Sequence, residues 1–269
     1  MISWDKDFKI YNFKSKYGPW ALVAGASEGL GAAYAEALAK RGLDLILIAR
    51  RQEKLDELSK KLINEYSIAI KCLALDLSDI AHVIEVLSQI DLPIGLLIYN
   101  AAYAPIGDFD TIPSDDLAKV VDVNIKAPLL LAKFVSKKMI ENKRGGIVLM
   151  SSLAGSQGSP KLVTYAASKA FNAILAEGLW SELKEHGVDV IASIAGAIVT
   201  PGYQQAQNAK KAPGTLTPDQ VAEKTLKALG KKPTIIPGFT NKLARFFMGR
   251  LIPRKWAISI MKQNTESLS

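Results

Sequence analysis

Trp20-Ala21-Leu22-Val23-Ala24-Gly25-Ala26-Ser27-Glu28-Gly29-Leu30-Gly31 runs from a short apolar stretch through three glycines into an alanine-rich segment with helical character. An apolar run of this length bounded by glycine reads as a buried strand. Gly25 permits the tight turn out of that strand. Gly29 lets backbone approach a pyrophosphate at a helix N-terminus, and Gly31 lets the helix pack closely on the sheet. The spacing is G-x-x-x-G-x-G, set between a strand and a helix, and it places dinucleotide contacts at Gly25, Ser27, Gly29, Leu30 and Gly31.

Outward from this loop the same alternation repeats. Candidate strands lie at 20–24, 45–49, 70–75, 95–99, 147–150, 189–194 and 234–236. Helical stretches lie between them at 31–41, 53–66, 79–89, 114–142 and 163–185. Strands that read as unbroken Val/Ile/Leu runs are covered on both faces, as crossover helices cover a parallel sheet. The expected fold is therefore α/β, a Rossmann-type doubly wound parallel sheet of about seven strands. A barrel of eight such units is the competing architecture, and the glycine loop argues against it. One domain is expected over residues 1–238, with a basic amphipathic extension, 239–269, packed on it.

The second strand ends Ile48-Ala49-Arg50-Arg51. An acidic residue there would bind the ribose 2′-hydroxyl of NAD, whereas an arginine offers a bidentate cation to a 2′-phosphate. Arg50 thus points to NADP(H), the alternative being two solvated arginines at a helix start. Asp76-Leu77 follows the third strand, where a carboxylate could meet an adenine amino group or cap the helix beginning near Asp79. After the fourth strand, Asn100-Ala101-Ala102 is small enough for backbone to approach the ribose.

Ser152 stands at the C-terminal end of the fifth strand, where open α/β sheets bind ligands. Tyr165 and Lys169 follow in Thr164-Tyr165-Ala166-Ala167-Ser168-Lys169, at i and i+4 on one helix face. A free phenol, with a pKa near ~10, exchanges protons poorly at neutral pH. A neighbouring ammonium favours the phenolate, so Tyr165 could pass a proton to a carbonyl oxygen held by Ser152.

These residues resemble the short-chain dehydrogenase/reductase family, from Pro19 to about Ile236. The cofactor loop of that family matches Gly25, Gly29 and Gly31, its serine Ser152, its tyrosine Tyr165 and its lysine Lys169. The resemblance assigns a fourth catalytic position to Asn124, which would bend a helix and hold a water in a proton relay to the lysine. The Asn-Asn-Ala-Gly motif appears as Tyr99-Asn100-Ala101-Ala102, and the usual Pro-Gly after the sixth strand as Ala195-Gly196. Backbone from there through Ile198 and Thr200 would meet the nicotinamide amide, and a substrate lid would follow over 201–217. Ala24 replaces a loop-bracing threonine. The stretch 33–55 is similar to NADPH-dependent very-long-chain 3-oxoacyl-CoA reductases and hydroxysteroid dehydrogenases. The implied activity is reduction of a ketone or aldehyde, or oxidation of the alcohol, on a small hydrophobic substrate. A homodimer or homotetramer through the helices near 127–142 and 163–185 is implied as well. A non-catalytic NADP(H) sensor or scaffold of the same fold is the competing reading.

Composition narrows the rest. The formal charge is +8, but ten of the 34 Lys and Arg fall between Lys224 and Thr265, a stretch without Asp or Glu. The other 24 face all 26 acidic residues, so the excess is local and no nucleic-acid partner is expected. That segment mixes the cations with Leu243, Phe246, Phe247, Leu251 and Trp256, and Pro253 splits it into two helical pieces. It could pack on the domain or a partner subunit, or it could contact an anionic membrane or the phosphates of an acyl carrier. A single cysteine, Cys72, in a strand-like run and so expected to be buried, suggests a reducing compartment. His82 and His186, far apart in surface-like helices, give no metal-ligand spacing, and no metal is expected. No apolar run approaches the roughly 20 residues of a membrane span, and residues 1–16 lack the apolar core of a signal peptide. Cytoplasmic localisation is the expectation.

Overall fold

A computed structural model describes residues 12–199 and 214–266. Seven parallel strands form one sheet in the order β3-β2-β1-β4-β5-β6-β7. The strands are β1 (Trp20–Ala24), β2 (Asp44–Ala49), β3 (Ile70–Ala74), β4 (Ile94–Tyr99), β5 (Gly145–Ser152), β6 (Val188–Ala195) and β7 (Thr234–Ile235). The helices are α1 (Gly29–Ala39), α2 (Gln52–Tyr66), α3 (Ile80–Ser88), α4 (Ser114–Val121), α5 (Ala127–Glu141), α6 (Val163–Lys184), α7 (Pro218–Ala228), α8 (Phe239–Phe246) and α9 (Arg254–Glu266).

The inner strands β1, β2, β4, β5 and β6 are buried on both faces, which is why they read as largely apolar runs, whereas the edge strand β3 is only partly covered. In β1, Ala21 and Val23 face a core completed by α1, α2 and α7, while Leu22 and Ala24 face one completed by α3, α5 and α6. Arg41 closes the first of these layers with a bidentate pair to Glu223 at 2.8 and 2.8 Å, joining the end of α1 to α7. The strand order reverses beside β1, between β2 and β4, and opens a crevice at the strands' C-terminal ends.

Three expectations need correction. The helix read over 114–142 is interrupted by a π-turn, Asp122–Lys126, between α4 and α5. Helical periodicity hides a one-residue insertion of this kind. Asp76 does not cap α3: Asp79 does, accepting the His82 N–H at 3.2 Å, while Asp76 accepts the Ser78 N–H at 2.9 Å in the preceding turn. Cys72 is half-buried rather than buried, because β3 lies at the edge of the sheet. Both histidines are exposed. No described helix is long and apolar enough to cross a membrane.

A candidate active site at the strand ends

The glycine loop is stitched to its neighbours by backbone. Gly25 and Ala26 donate to Ile48 O at 2.8 and 3.1 Å, and Asn100 and Ala101 both donate to Ala24 O at 3.0 Å. Asn100 Nδ2 also donates to Gly25 O at 3.0 Å, so this side chain braces the loop that lacks its threonine. Gly25 has φ +84°, and a Cβ there would meet Ala101 N at 2.7 Å. A Cβ on Gly31 would collide with the Gly25 carbonyl oxygen. Both positions therefore need glycine, Gly25 for its backbone conformation and Gly31 for close approach.

A cavity of about 720 Å³ extends from this loop across the ends of β1, β4 and β5 to α6. Every described residue expected to contact cofactor or substrate lines it except Gly31 and Asn124; Thr200 and most of the lid lie outside the described residues. At one end stand Arg50, Asp76 and Leu77. Burial works against ionisation of Asp76, but hydrogen bonds from Ser78 and the cations Arg50 and Lys119 outweigh it and hold the carboxyl below its usual range. Arg50 and Arg51 diverge. Arg51 is occupied by Glu28 at 2.9 Å and Ser27 Oγ at 3.3 Å, while Arg50 makes no ion pair among the described residues.

At the other end, β5 delivers Ser152 and α6 delivers Tyr165 and Lys169. Lys169 is 3% exposed, with Nζ 5.5 Å from the Tyr165 ring centroid and donating to Met150 O at 3.1 Å. Ser151 Oγ donates to Lys169 O at 2.7 Å and pins α6 to the strand end. Ser152 Oγ accepts the Ala154 N–H at 3.2 Å, which leaves its own proton to donate. Burial pushes the Tyr165 phenol up, opposed by the Ser152 hydroxyl, and pulls the Lys169 ammonium down to about 8. The i, i+4 spacing alone predicts an ammonium that lowers the tyrosine. Burial prevails for the phenol, and it lowers the ammonium as well.

Asn124 sits in the π-turn, fully buried behind the cavity wall. Its Oδ1 accepts the Tyr103 N–H at 2.7 Å, and its Nδ2 donates to Tyr103 O at 2.8 Å and Ser168 Oγ at 3.0 Å. Ser168 in turn donates to Tyr165 O at 2.7 Å. The turn's own carbonyls are met by side chains: Tyr99 Oη donates to Val123 O, and Asn172 Nδ2 to Asn124 O at 3.1 Å. Sequence reading missed Tyr103, Lys119, Ser151 and Asn172. Only Ser151 carried a signal, its place at a strand end beside Ser152. Among the described residues no cluster of three His, Cys, Asp or Glu could hold a metal.

Residues 19–211 match the family model described as short chain dehydrogenase. The chain is 33% identical over 236 residues to a 7beta-hydroxysteroid dehydrogenase of Clostridium sardiniense, covering 86% of this chain and 90% of that one. It is 32% identical over 263 residues to a very-long-chain 3-oxoacyl-CoA reductase of Podospora anserina, covering 94% of this chain and 74% of that one. A solved 7beta-hydroxysteroid dehydrogenase superposes with TM-score 0.86 at 27% identity, over 93% of this chain and 98% of its own. A short-chain dehydrogenase from Sphingobium yanoikuyae in complex with NADPH superposes with TM-score 0.75 at 30% identity, over 88% and 97%.

Proposed function

The chain belongs to the short-chain dehydrogenase family, and so is an oxidoreductase that uses a nucleotide cofactor on a hydrophobic carbonyl or alcohol; from this we propose that it reduces a ketone or aldehyde with NADPH, or runs the reverse reaction, through Ser152, Tyr165, Lys169 and Asn124. The observation that carries the reading is the meeting of Ser152, Tyr165 and Lys169 in the same cavity as the glycine loop.

The residues fit a dinucleotide. A side chain at Gly25 would strike Ala101 and one at Gly31 the Gly25 carbonyl, so the loop keeps its shape only with glycine at both; the N-terminus of α1 opens on the cavity, whose volume lies in the range of cofactor sites. When bound, NADPH supplies the hydride. Ser152 donates its free proton to the substrate oxygen and fixes it beside the Tyr165 phenol. Burial keeps that phenol protonated at neutral pH, the form that reduction requires. Lys169, charged below pH about 8, supports the negative charge that develops on the phenol as its proton leaves. Asn124 positions this helix turn through Ser168. The names of the relatives direct the choice of substrate toward steroid-ring carbonyls and 3-oxoacyl thioesters. A homodimer or homotetramer through α5 and α6 belongs to the same reading, supported by Leu129 and Ile174, which are 40% and 67% exposed on those helices.

NADPH oxidation measured over hydroxysteroid ketones, 3-oxoacyl thioesters and simple aryl ketones should reveal turnover with at least one class. A complete absence of turnover in the folded, NADPH-binding protein would overturn the enzyme assignment. Arg50 carries the cofactor preference. Arg50→Ala should weaken NADPH binding by about 10- to 100-fold, the value of a charge-assisted hydrogen bond pair, and leave NADH nearly unchanged. Equal titration of both cofactors by the parent protein would refute it.

A further inference from the structure

Several large apolar residues at the C-terminal end are exposed. Phe239, Leu243, Phe246 and Phe247 fall at i, i+4, i+7 and i+8, one face of a helix, and are 75%, 41%, 51% and 47% exposed. Leu251, in the turn that follows, and Trp256, in the first turn of α9, are 58% and 68% exposed. The side of α8 facing the domain is polar instead. Its buried residue is Asn241, whose Nδ2 donates to Gly214 O and Pro237 O at 3.0 and 2.9 Å. A core-packed amphipathic helix has the opposite arrangement, and monomeric proteins rarely expose a contiguous apolar patch of this kind.

Lys242, Arg250 and Lys255 are exposed among these apolar side chains, while Arg245 is half-buried one turn after Asn241, and none of the four is ion-paired among the described residues. No acidic residue occurs between Lys224 and Thr265. A second copy docking by a two-fold axis would set these cations against themselves, with no carboxylate from the stretch to offset them. A surface that accepts aromatic rings and offers fixed negative charge satisfies both halves of the face.

We propose that the outward face of α8, the turn after it and the start of α9 docks on an anionic lipid bilayer, its apolar side chains entering the interface and its cations meeting headgroup phosphates. The attachment to the domain sets this face beside the cavity rim. Arg254 Nη1 donates to Ser156 O at 2.7 Å, in the turn that begins after Ser152, and a Cβ on Gly158 would lie 3.6 Å from Ile258. Asn241 also abuts Gly196, which lines the cavity.

The test is flotation of the full chain with vesicles of phosphatidylcholine alone and of phosphatidylcholine mixed with phosphatidylglycerol. The protein should float with the anionic vesicles only, and less as salt shortens the screening length from about 10 Å at 0.1 M to about 3 Å at 1 M. Lys242→Gln and Arg250→Gln should each lower partitioning about fivefold. Phe246→Ser with Phe247→Ser should abolish it while the melting temperature holds, since both side chains are exposed. Brominated lipid should quench a fluorescence component that Trp256→Phe removes. Failure to float with anionic vesicles overturns the proposal, as does equal flotation with both vesicle types or flotation unchanged by these substitutions. A dimer that the double serine variant converts to monomer, with no flotation by the parent, assigns the face to self-association instead.

Discussion

Tyr165→Phe should reduce turnover by about 10²- to 10⁴-fold, the contribution of a placed general acid, while NADPH binds within twofold of the parent. The substitution removes one oxygen and leaves the half-buried ring in place between α6 and the cavity. The Lys169–Met150 and Ser151–Lys169 bonds that hold the helix turn do not involve the phenol, so the scaffold should persist. The signature is a fall in kcat with little change in KM, because proton transfer belongs to the transition state. Retained turnover would remove Tyr165 from the proton path. Cofactor binding lost together with turnover would show instead that the substitution had disrupted the pocket.

Lys169→Met should abolish most turnover and yet raise stability at neutral pH. Burial pulls the Lys169 ammonium down to about 8, against an ordinary value near 10.4 in the unfolded chain. Below pH 8 both states carry the proton, and the folded protein bears the full cost of a buried charge, about 3 kcal/mol. Between pH 8 and about 10.4 the unfolded chain binds more protons, so the parent gains stability as pH rises and the cost fades. Methionine keeps a similar length without the charge but forfeits the bond to Met150 O, worth about 1 kcal/mol. The variant should therefore be more stable by about 2 kcal/mol at pH 7, an advantage that disappears on approach to pH 10.4. Thermal melts of both proteins across this range measure it. A variant less stable at every pH would mean that the lysine is not desolvated as the geometry indicates. On the proposed reading, the site keeps this destabilised group for its part in proton transfer.

Most of the architecture was legible because its signals are local. Seven apolar stretches became seven strands, and the inner ones, buried on both faces, carry that signature in their own residues. Gly25 and Gly31 could be read because a turn and a close helix-to-loop contact fall within a few residues of each other. Tyr165 and Lys169 could be paired because i and i+4 share a helix face. The π-turn was not legible by pattern: its carbonyls are met by Tyr99 and Asn172, one on a strand and the other on a distant helix. Asn124 came only from family resemblance, and its contacts to Tyr103 and Ser168 span 21 and 44 residues.

By itself the sequence determined the doubly wound sheet, the glycine cradle, the Ser152–Tyr165–Lys169 grouping and the segregation of cations at the C-terminal end. Each is a matter of spacing or composition, quantities fixed along the chain. Tertiary structure decided the direction in which burial shifts Tyr165 and Lys169, the division of labour between Arg50 and Arg51, and the outward aim of the apolar stripe on α8. Those depend on solvent access and on partners far away in sequence, which are settled only when the chain closes on itself.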